Sequence, residues 1–106
     1  MIFEALSESA ECGELILVDG GLCHWHLRRD GQLTIREILV LPDRRGQGIG
    51  IAMLAQLRQT PGALSLFAKC PANLPANGWY ERMGFGREGI ETTRTGRELN
   101  LWRLPI

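Results

Sequence analysis

One stretch, residues 37–56, constrains the fold of this chain more than any other. It reads EILVLPDRRGQGIGIAMLAQ, and its apolar first part predicts a buried strand that stops at Pro42. Gly46, Gly48 and Gly50 follow on alternate positions, where they leave backbone N–H groups uncovered by side chains. The helix that begins there adds its own unpaired donors and the positive end of its dipole. The stretch therefore predicts an anion-binding site, which we call the anion seat; the anion at such sites is most often a phosphate or pyrophosphate.

Turn signals divide the chain before this stretch into an antiparallel meander. Residues 14–18 and 22–28 predict two strands, each followed by a glycine-containing hairpin turn, and residues 33–41 predict the longest strand. Residues 2–5 suggest a further short strand, with a polar loop or one helical turn after it. Simple alternation along the longest strand places four side chains on one face, namely Leu33, Ile35, Glu37 and Leu39.

After the glycines, the pattern predicts a helix, a buried strand, a second helix and a final hairpin. The first helix must end before Thr60, because Thr-Pro-Gly follows. The near-continuous apolar run 63–70 predicts a central strand, and a strand–helix–strand order implies that it runs parallel to the strand before the helix. The second helix is expected to begin near Asn73, with the asparagine near the N-cap and Pro75 in the first turn, and to stop at Gly84. Residues 85–91 and 98–104 form the hairpin.

Composition and charge exclude several classes of protein. The 106 residues correspond to a single domain, 1–106, and Lys+Arg and Asp+Glu are equal at 12 each, so no global field attracts nucleic acid or an acidic membrane. The N-terminus lacks the features of a secretory signal, and no segment approaches the ~20 apolar residues that span a bilayer. Cys12, Cys23 and Cys70 form no C-x-x-C pair, so neither a disulfide framework nor a zinc clip is indicated. We predict a reduced, cytoplasmic protein without a metal.

Two motifs identify which kind of anion seat this is. A P-loop would need Lys-Ser/Thr after its glycines, and a dinucleotide fingerprint would need different glycine spacing; this chain has neither. Residues 45–50, RGQGIG, match the pattern [QR]-x-x-G-x-[GA], and residues 73–85, NLPANGWYERMGF, match N-x-x-A-x-x-x-Y-x-x-x-G-F. Both patterns, in this order, resemble the GNAT family of N-acetyltransferases, and the resemblance covers roughly residues 15–104.

The resemblance implies an α+β fold, the acyl-CoA N-acyltransferase fold. Two main helices would pack on a mixed, mostly antiparallel sheet that splays at a central parallel strand pair. Acetyl-CoA would lie in the splay as co-substrate, and its acetyl group would pass to a primary amine by direct attack in a ternary complex. Carried over by position, the residues for the pyrophosphate are Arg45, Gly46, Gln47, Gly48, Ile49 and Gly50, those for the pantetheine arm and acyl carbonyl are the backbones of Ile38, Leu39 and Val40, and Asn73 lies near the arm.

Tyr80 and Glu37 are the candidates for catalysis. The family match places Tyr80 beside the sulfur as a proton donor, whereas helix spacing alone favours a core aromatic residue. A phenol with a pKa of about 10 is a weaker acid than a thiol at about 8.5, so its help to the leaving group is expected to be modest. Glu37 would suit a general base if its apolar neighbours partly bury it; the alternatives are an arginine pair or an exposed sheet edge. Some family members carry an acid where this chain has Ala68, so an ordered water is the other candidate.

The acceptor side is predicted less completely. His24 and His26 share a strand face without a visible third ligand, which favours a polar surface strand or an acceptor-site wall over a zinc site. Only about a dozen residues precede Glu14, too few at ~1.5 Å per residue for the helix pair that the family usually has there. A short member of the family would then have an open acceptor face, suited to a protein or nucleic-acid amine, or a wall supplied by a second subunit. The alternative function is a non-catalytic CoA-binding module.

Overall fold

A computed structural model describes residues 14–106, which form six strands and two helices. The predictions made for residues 1–13 lie outside the described residues. In chain order the elements are β1 (Leu15–Val18), β2 (Gly21–Leu27), β3 (Gln32–Val40), a 3-10 turn (Pro42–Arg44), α1 (Ile49–Arg58), β4 (Ser65–Pro71), α2 (Ala76–Arg82), β5 (Gly86–Thr92) and β6 (Glu98–Pro105). The predicted order of strands and helices is confirmed. Within residues 14–106, neither helix is long and apolar enough to cross a membrane.

The six strands form one mixed sheet in the order β1-β2-β3-β4-β6-β5. Only β3 and β4 are parallel, joined through α1; every other neighbouring pair in the sheet is antiparallel. The parallel pairing covers only residues 32–35 of β3 and 65–68 of β4. Both strands continue beyond that point without pairing, so the sheet splays there. The predicted α+β fold, with a mixed sheet splayed at a central parallel pair, is confirmed.

A β-bulge in β3 lies where the splay begins. Trp25 of β2 pairs with Ile35, but His24 pairs with Glu37, so Arg36 has no residue opposite it on β2. An extra residue of this kind disrupts the ladder locally and bends the strand. The bulge therefore turns the second half of β3 relative to its first half, at the point where β3 leaves β4.

The bulge also reverses which side chains of β3 face the core. After it, Ile38 and Val40 pack against the core, while Glu37 and Leu39 are exposed on the other face. A strand that alternates without interruption would have the opposite arrangement. The prediction that Leu33, Ile35, Glu37 and Leu39 share one face is therefore wrong.

Both helices pack on the same face of the sheet. Met53 and Leu57 of α1 are each 1% exposed, and Tyr80 of α2 joins them in one apolar cluster. Gly50 permits the helices to meet, because a Cβ there would lie 3.0 Å from Cζ2 of Trp79. The strands complete this cluster with Ile16, Cys23, Leu33, Ile35, Leu66, Ala68, Cys70 and Trp102.

The other face of the sheet, which we call the open face, carries no helix among the described residues. Arg103 organises its centre: Nε donates to Glu88 at 2.7 Å, and the guanidinium carbon lies 4.8 Å from the centre of the Phe67 ring. Two further donations, to Ser65 at 2.9 Å and to Gln32 at 3.0 Å, tie three strands together. The Arg103–Glu88 pair lowers the pKa of that carboxyl. This polar network lies at the paired end of β3 and β4, away from the splay.

Alkaline solution should destabilise this core through two buried groups that lose protons at high pH, the Cys23 thiol and the Tyr80 phenol. Burial raises the pKa of the Cys23 thiol from 9.0 to about 12, and burial, followed by the neighbouring Cys70 and Cys23, raises the pKa of Tyr80 above 10.0. In the unfolded chain both groups lose their protons at ordinary pKa values, so above about pH 9 the native state holds more protons than the unfolded state. The free energy of unfolding is therefore full below about pH 9 and falls as pH rises, by up to ~1.4 kcal/mol per pH unit for each group.

Urea denaturation at a series of pH values, followed by tryptophan fluorescence, measures this slope. Cys23→Ala should lower stability at every pH, because it leaves a cavity, but it should also flatten the slope that begins near the ordinary thiol pKa. An unchanged slope in Cys23→Ala would show that the thiol titrates alike in both states.

Candidate active site

The glycine loop has the geometry of an anion seat. Gly46 and Gly48 lie in the left-handed region, with φ of 81° and 80°, and Gly48 caps α1 without any side-chain hydrogen bond. A Cβ on either glycine would meet nothing within 4 Å, so both open onto free space. The first hydrogen bond of α1 runs from the Ala52 N–H to the Gly48 carbonyl at 2.9 Å, which leaves the amides of residues 49–51 outside the helical ladder. These amides and the helix dipole can hold an anion.

The two arginines of the loop are engaged differently. Arg44 donates to Asp19 at 3.0 Å and to Gln47 at 3.2 Å, so it braces the loop against the β1–β2 turn. Both arginines line the neighbouring cleft, but the exposed Arg45 donates only a long hydrogen bond, 3.4 Å, to the Val40 carbonyl. Gln47 does not line that cleft. Arg45 is thus the better placed of the two arginines to reach a bound anion.

A cleft of about 680 Å³ joins this loop to the splay of the sheet. One wall is the unpaired end of β3, residues 36–40, and the other is the end of β4, residues 69–71. Because β3 has no partner on its β4 side here, its backbone N–H and C=O groups on that side are available to a ligand. An elongated ligand with an anionic end fits this shape, since the seat lies at one end of the cleft and free strand backbone at the other.

Tyr80 closes the cleft from α2. The residue is 6% exposed, and its ring makes edge contacts with Trp79 and Phe85, both at 5.2 Å, and stacks on Trp102 at 6.4 Å. It lines the cleft as well. Both the core and the site interpretations of this residue are therefore compatible with its position. Because burial raises the pKa of Tyr80, its hydroxyl stays protonated at ordinary pH and acts as a hydrogen-bond donor.

Glu37 lines the cleft, but it does so from the open face. Its side chain is exposed, so the partial burial proposed to tune it as a base is not found. The neighbouring His24 is 7% exposed, with a buried Nε2 that has no hydrogen-bond partner, whereas His26 Nδ1 pairs with Glu14. The prediction of a polar surface strand thus fails for His24. No group of three or more metal-ligating side chains occurs within residues 14–106.

The asparagine that organises α2 is not the one that the motif indicated. The helix begins at Ala76 with Pro75 as N-cap, so Asn73 lies two residues before the N-cap and its side chain does not cap the helix. Asn73 is exposed and does not line the cleft. Asn77 instead donates to the carbonyls of Pro71 and Leu74, both at 2.8 Å.

Asn77 also connects α2 to the sheet. Its Oδ1 accepts from Asn100 Nδ2 at 2.9 Å and from Trp102 Nε1 at 3.0 Å. The residue thereby joins the end of β4, the loop after it, α2 and β6 around the wall of the cleft. The sequence motifs did not indicate Asn77. The available signal was an amide in the first turn of an apolar helix, a position where such side chains bond backbone carbonyls and amides.

Asn77→Ala should lower the free energy of unfolding by about 2–4 kcal/mol, because it leaves the side-chain N–H groups of Asn100 and Trp102 without their acceptor and removes two bonds to backbone carbonyls. For a domain of this size the melting temperature should fall by more than about 10 °C. Differential scanning calorimetry measures both. The matched control is Asn73→Ala in the preceding loop, which should change the unfolding free energy by no more than about 0.5 kcal/mol; equal losses would contradict the role given to Asn77.

The splayed mixed sheet, the glycine seat at the start of α1 and a tyrosine beside the splay define an acyl-CoA N-acyltransferase fold. The particular family follows from comparison with family models. The model described as "Acetyltransferase (GNAT) domain" matches residues 5–87 of this chain. The chain belongs to the GNAT family.

Solved structures agree with this assignment. A GNAT-family protein from Desulfovibrio desulfuricans is 28% identical, with a TM-score of 0.71 over 81% of this chain and 61% of that one. The ribosomal-protein-S18-alanine N-acetyltransferase of Escherichia coli is also 28% identical, with a TM-score of 0.66 over 82% of this chain and 61% of that one. A Bacillus anthracis structure in complex with acetyl coenzyme A shares the fold at 20% identity, with a TM-score of 0.73 over 82% of this chain and 56% of that one. This chain spans less than two thirds of the length of each.

Proposed function

We propose that the protein is an acyl-CoA-dependent N-acyltransferase that transfers acetyl from acetyl-CoA to a primary amine. The observation that carries this proposal is that one cleft contains both the anion seat at Gly46 and Gly48 and the unpaired backbone of β3. Acetyl-CoA offers a pyrophosphate to the first and an amide-containing arm to the second. Membership of the GNAT family and the structural likeness to a protein in complex with acetyl coenzyme A support the same co-substrate.

In this proposal the loop residues 45–50 bind the pyrophosphate, with backbone amides as the main donors and Arg45 as the mobile cation. The arm and the acyl carbonyl hydrogen-bond to the backbone of residues 38–40, where β3 has left β4. A carbonyl oxygen held by such fixed N–H groups is stabilised as it gains negative charge in the transition state. Asn73 and Gln47 stay in the proposal as residues near the ligand, although neither lines the cleft in the free protein.

The amine nitrogen forms a bond to the acetyl carbon within the ternary complex, and the carbon–sulfur bond breaks. Much of the acceleration would come from aligning the two bound substrates. Before the attack, Glu37, exposed at the mouth of the cleft, accepts a proton from the substrate ammonium either directly or through a water, and the neutral amine then attacks. Tyr80 donates a hydrogen bond to the departing sulfur. No metal takes part in this proposal.

The competing function is a module that binds CoA without catalysis. Thermal shift with acetyl-CoA, followed by CoA-thiol release against a panel of amines, peptides and nucleic acids, distinguishes the two. Stabilisation together with amine-dependent release supports the enzyme, and stabilisation without release on any acceptor supports the binding module. Glu37→Gln keeps the size of the side chain and removes its basicity, so release should fall while stabilisation by acetyl-CoA persists.

Three wider features belong to the same proposal. The chain would act as a single GNAT domain. Its open face would admit a large acceptor, such as a protein or nucleic-acid amine, or would receive a second subunit in a homodimer. The protein would work in the cytoplasm, where acetyl-CoA is made available and where Cys23 and Cys70, both buried free thiols, would stay reduced.

A further inference from the structure

A row of three leucines, with both ends exposed and the middle residue half-buried, crosses three strands on the open face. Leu17 of β1 pairs with Leu22 of β2, and Leu22 pairs with Leu39 of β3. Leu17 is 70% exposed and Leu39 is 41% exposed. Neighbouring strands lie about 4.8 Å apart, so the row is about 10 Å long. We call these three residues the leucine row. A contiguous apolar strip with exposed ends marks a binding surface more often than isolated leucines do.

The leucine row is continuous with the cleft. Leu39 belongs to the row and lines the cleft as well. Glu37 lies two residues earlier on β3, on the same face and about 6.8 Å along the strand, and it lines the cleft too. None of the salt bridges within residues 14–106 involves its carboxylate. An exposed negative charge therefore adjoins the exposed Leu39 end of the leucine row at the cleft.

The bulge at Arg36 creates this combination. Without it, Glu37 and Leu39 would face the helices, and the carboxylate would lie in the apolar core. With it, both side chains face the open side, where Leu39 extends the line already formed by Leu17 and Leu22. The carboxylate and the leucine row are thus presented together, on the side of the sheet opposite the helices.

We propose, on the basis of the acyltransferase function above, that the acceptor is an amphiphilic primary amine. Its ammonium pairs with Glu37, and an apolar group attached a few bonds from the nitrogen lies along the leucine row. The row is long enough for an aromatic ring with its linker, or for about three residues of extended peptide. A free amine and the N-terminus of a peptide with an apolar first residue share this chemistry. The charge of Glu37 and the apolar area of the row each contribute to the choice of acceptor.

The reaction balances with these groups. The ammonium gives one proton to the Glu37 carboxylate or to a water, and the neutral nitrogen then forms a bond to the acetyl carbon. The carbon–sulfur bond breaks, its electron pair leaves on the sulfur of CoA, and the second proton lost by the nitrogen protonates that sulfur. The products are the amphiphilic N-acetylamide and CoA, with one proton released to solvent.

The test compares an apolar primary amine, phenethylamine, with a polar one, ethanolamine, by initial rates of CoA-thiol release. The wild type should show kcat/KM about tenfold higher, or more, for phenethylamine. Leu17→Ser should reduce the ratio of the two kcat/KM values towards one, because Leu17 belongs to the leucine row. Leu17 does not line the cleft itself. The matched control is Leu64→Ser: Leu64 is 68% exposed, lies before the paired end of β4, and should leave the ratio as in the wild type.

A second arm uses two short peptides that begin with leucine or with serine. Preference for the leucine peptide with no turnover of phenethylamine would assign a peptide N-terminus, and the reverse would assign a free amine; both support an amphiphilic acceptor.

Equal kcat/KM values for each apolar and polar pair would overturn the inference while the acyltransferase function stands. Binding of acetyl-CoA without turnover of any amine would overturn both. A wild-type dimer that becomes a monomer in Leu17→Ser would show that the row is covered by a second copy of the chain.

Discussion

Gly48→Asp is expected to raise the dissociation constant for acetyl-CoA by at least about a hundredfold while the protein stays folded. The left-handed backbone, with φ of 80°, costs an aspartate about 1 kcal/mol, and its Cβ meets nothing within 4 Å. The new carboxylate, however, enters the space in which the pyrophosphate would lie. Two like charges near a protein surface at about 4 Å repel by up to ~4 kcal/mol, well above the ~2.7 kcal/mol that a hundredfold change requires.

Isothermal titration calorimetry with acetyl-CoA measures this effect, and Gly96→Asp is its matched control. Gly96 lies in the turn between β5 and β6 with φ of 84°, again with nothing within 4 Å of a Cβ, and it does not line the cleft. The two variants should therefore lose similar amounts of stability, and only Gly48→Asp should lose affinity. If both bind acetyl-CoA like the wild type, the pyrophosphate is not held by this loop.

Much of the fold around the glycine loop before α1 could be predicted from the sequence, because the sequence signals for it are local. Pro42 stops a strand, the glycines adopt conformations that other residues resist, and an apolar period of 3.6 residues marks α1. The strand–helix–strand order then implies the parallel pair of β3 and β4. Each of these inferences depends on residues that are neighbours in the chain.

The environment of Glu37 could not be predicted in this way, because a bulge is a property of two strands together. Nothing near Arg36 in the sequence marks it as the residue without a partner; that depends on how β2 is aligned with β3. A shift of one residue moves every later side chain to the other face. The base candidate was therefore expected in a partly buried apolar setting and is found as an exposed carboxylate at the mouth of the cleft.

Asn73 and Asn77 illustrate a different limit on what can be predicted from the sequence. The family motif indicates a position, Asn73, but the two side-chain partners of Asn77 lie 23 and 25 residues further along the chain, on β6. Such partners become neighbours only when the sheet has formed. A polar side chain that links distant strands can be suspected from the sequence, but its partners cannot be read from it.

Tyr80→Phe should reduce kcat for acetyl transfer by about ten- to a hundredfold with little change in the KM for acetyl-CoA. The phenol makes a poor acid here: burial raises its pKa further above that of the thiol it would protonate. A hydroxyl held neutral in this way still donates a hydrogen bond to sulfur as negative charge develops there. The effect should therefore be that of one lost hydrogen-bond donor in the transition state, and it should appear in kcat.

The upward shift in the pKa of Tyr80 allows a second test on this residue, the pH dependence of kcat. An enzyme that needs the protonated tyrosine keeps this contribution below the folded pKa and loses it above, so ionisation of Tyr80 should cause no fall in kcat up to about pH 10. The phenylalanine ring preserves the contacts with Phe85 and Trp102, and Thr34→Val, which removes a hydroxyl from the open face, serves as control. A Tyr80→Phe variant with wild-type kcat would mean that the thiolate leaves unaided; a changed KM with unchanged kcat would mean that the hydroxyl binds acetyl-CoA and its transition state equally.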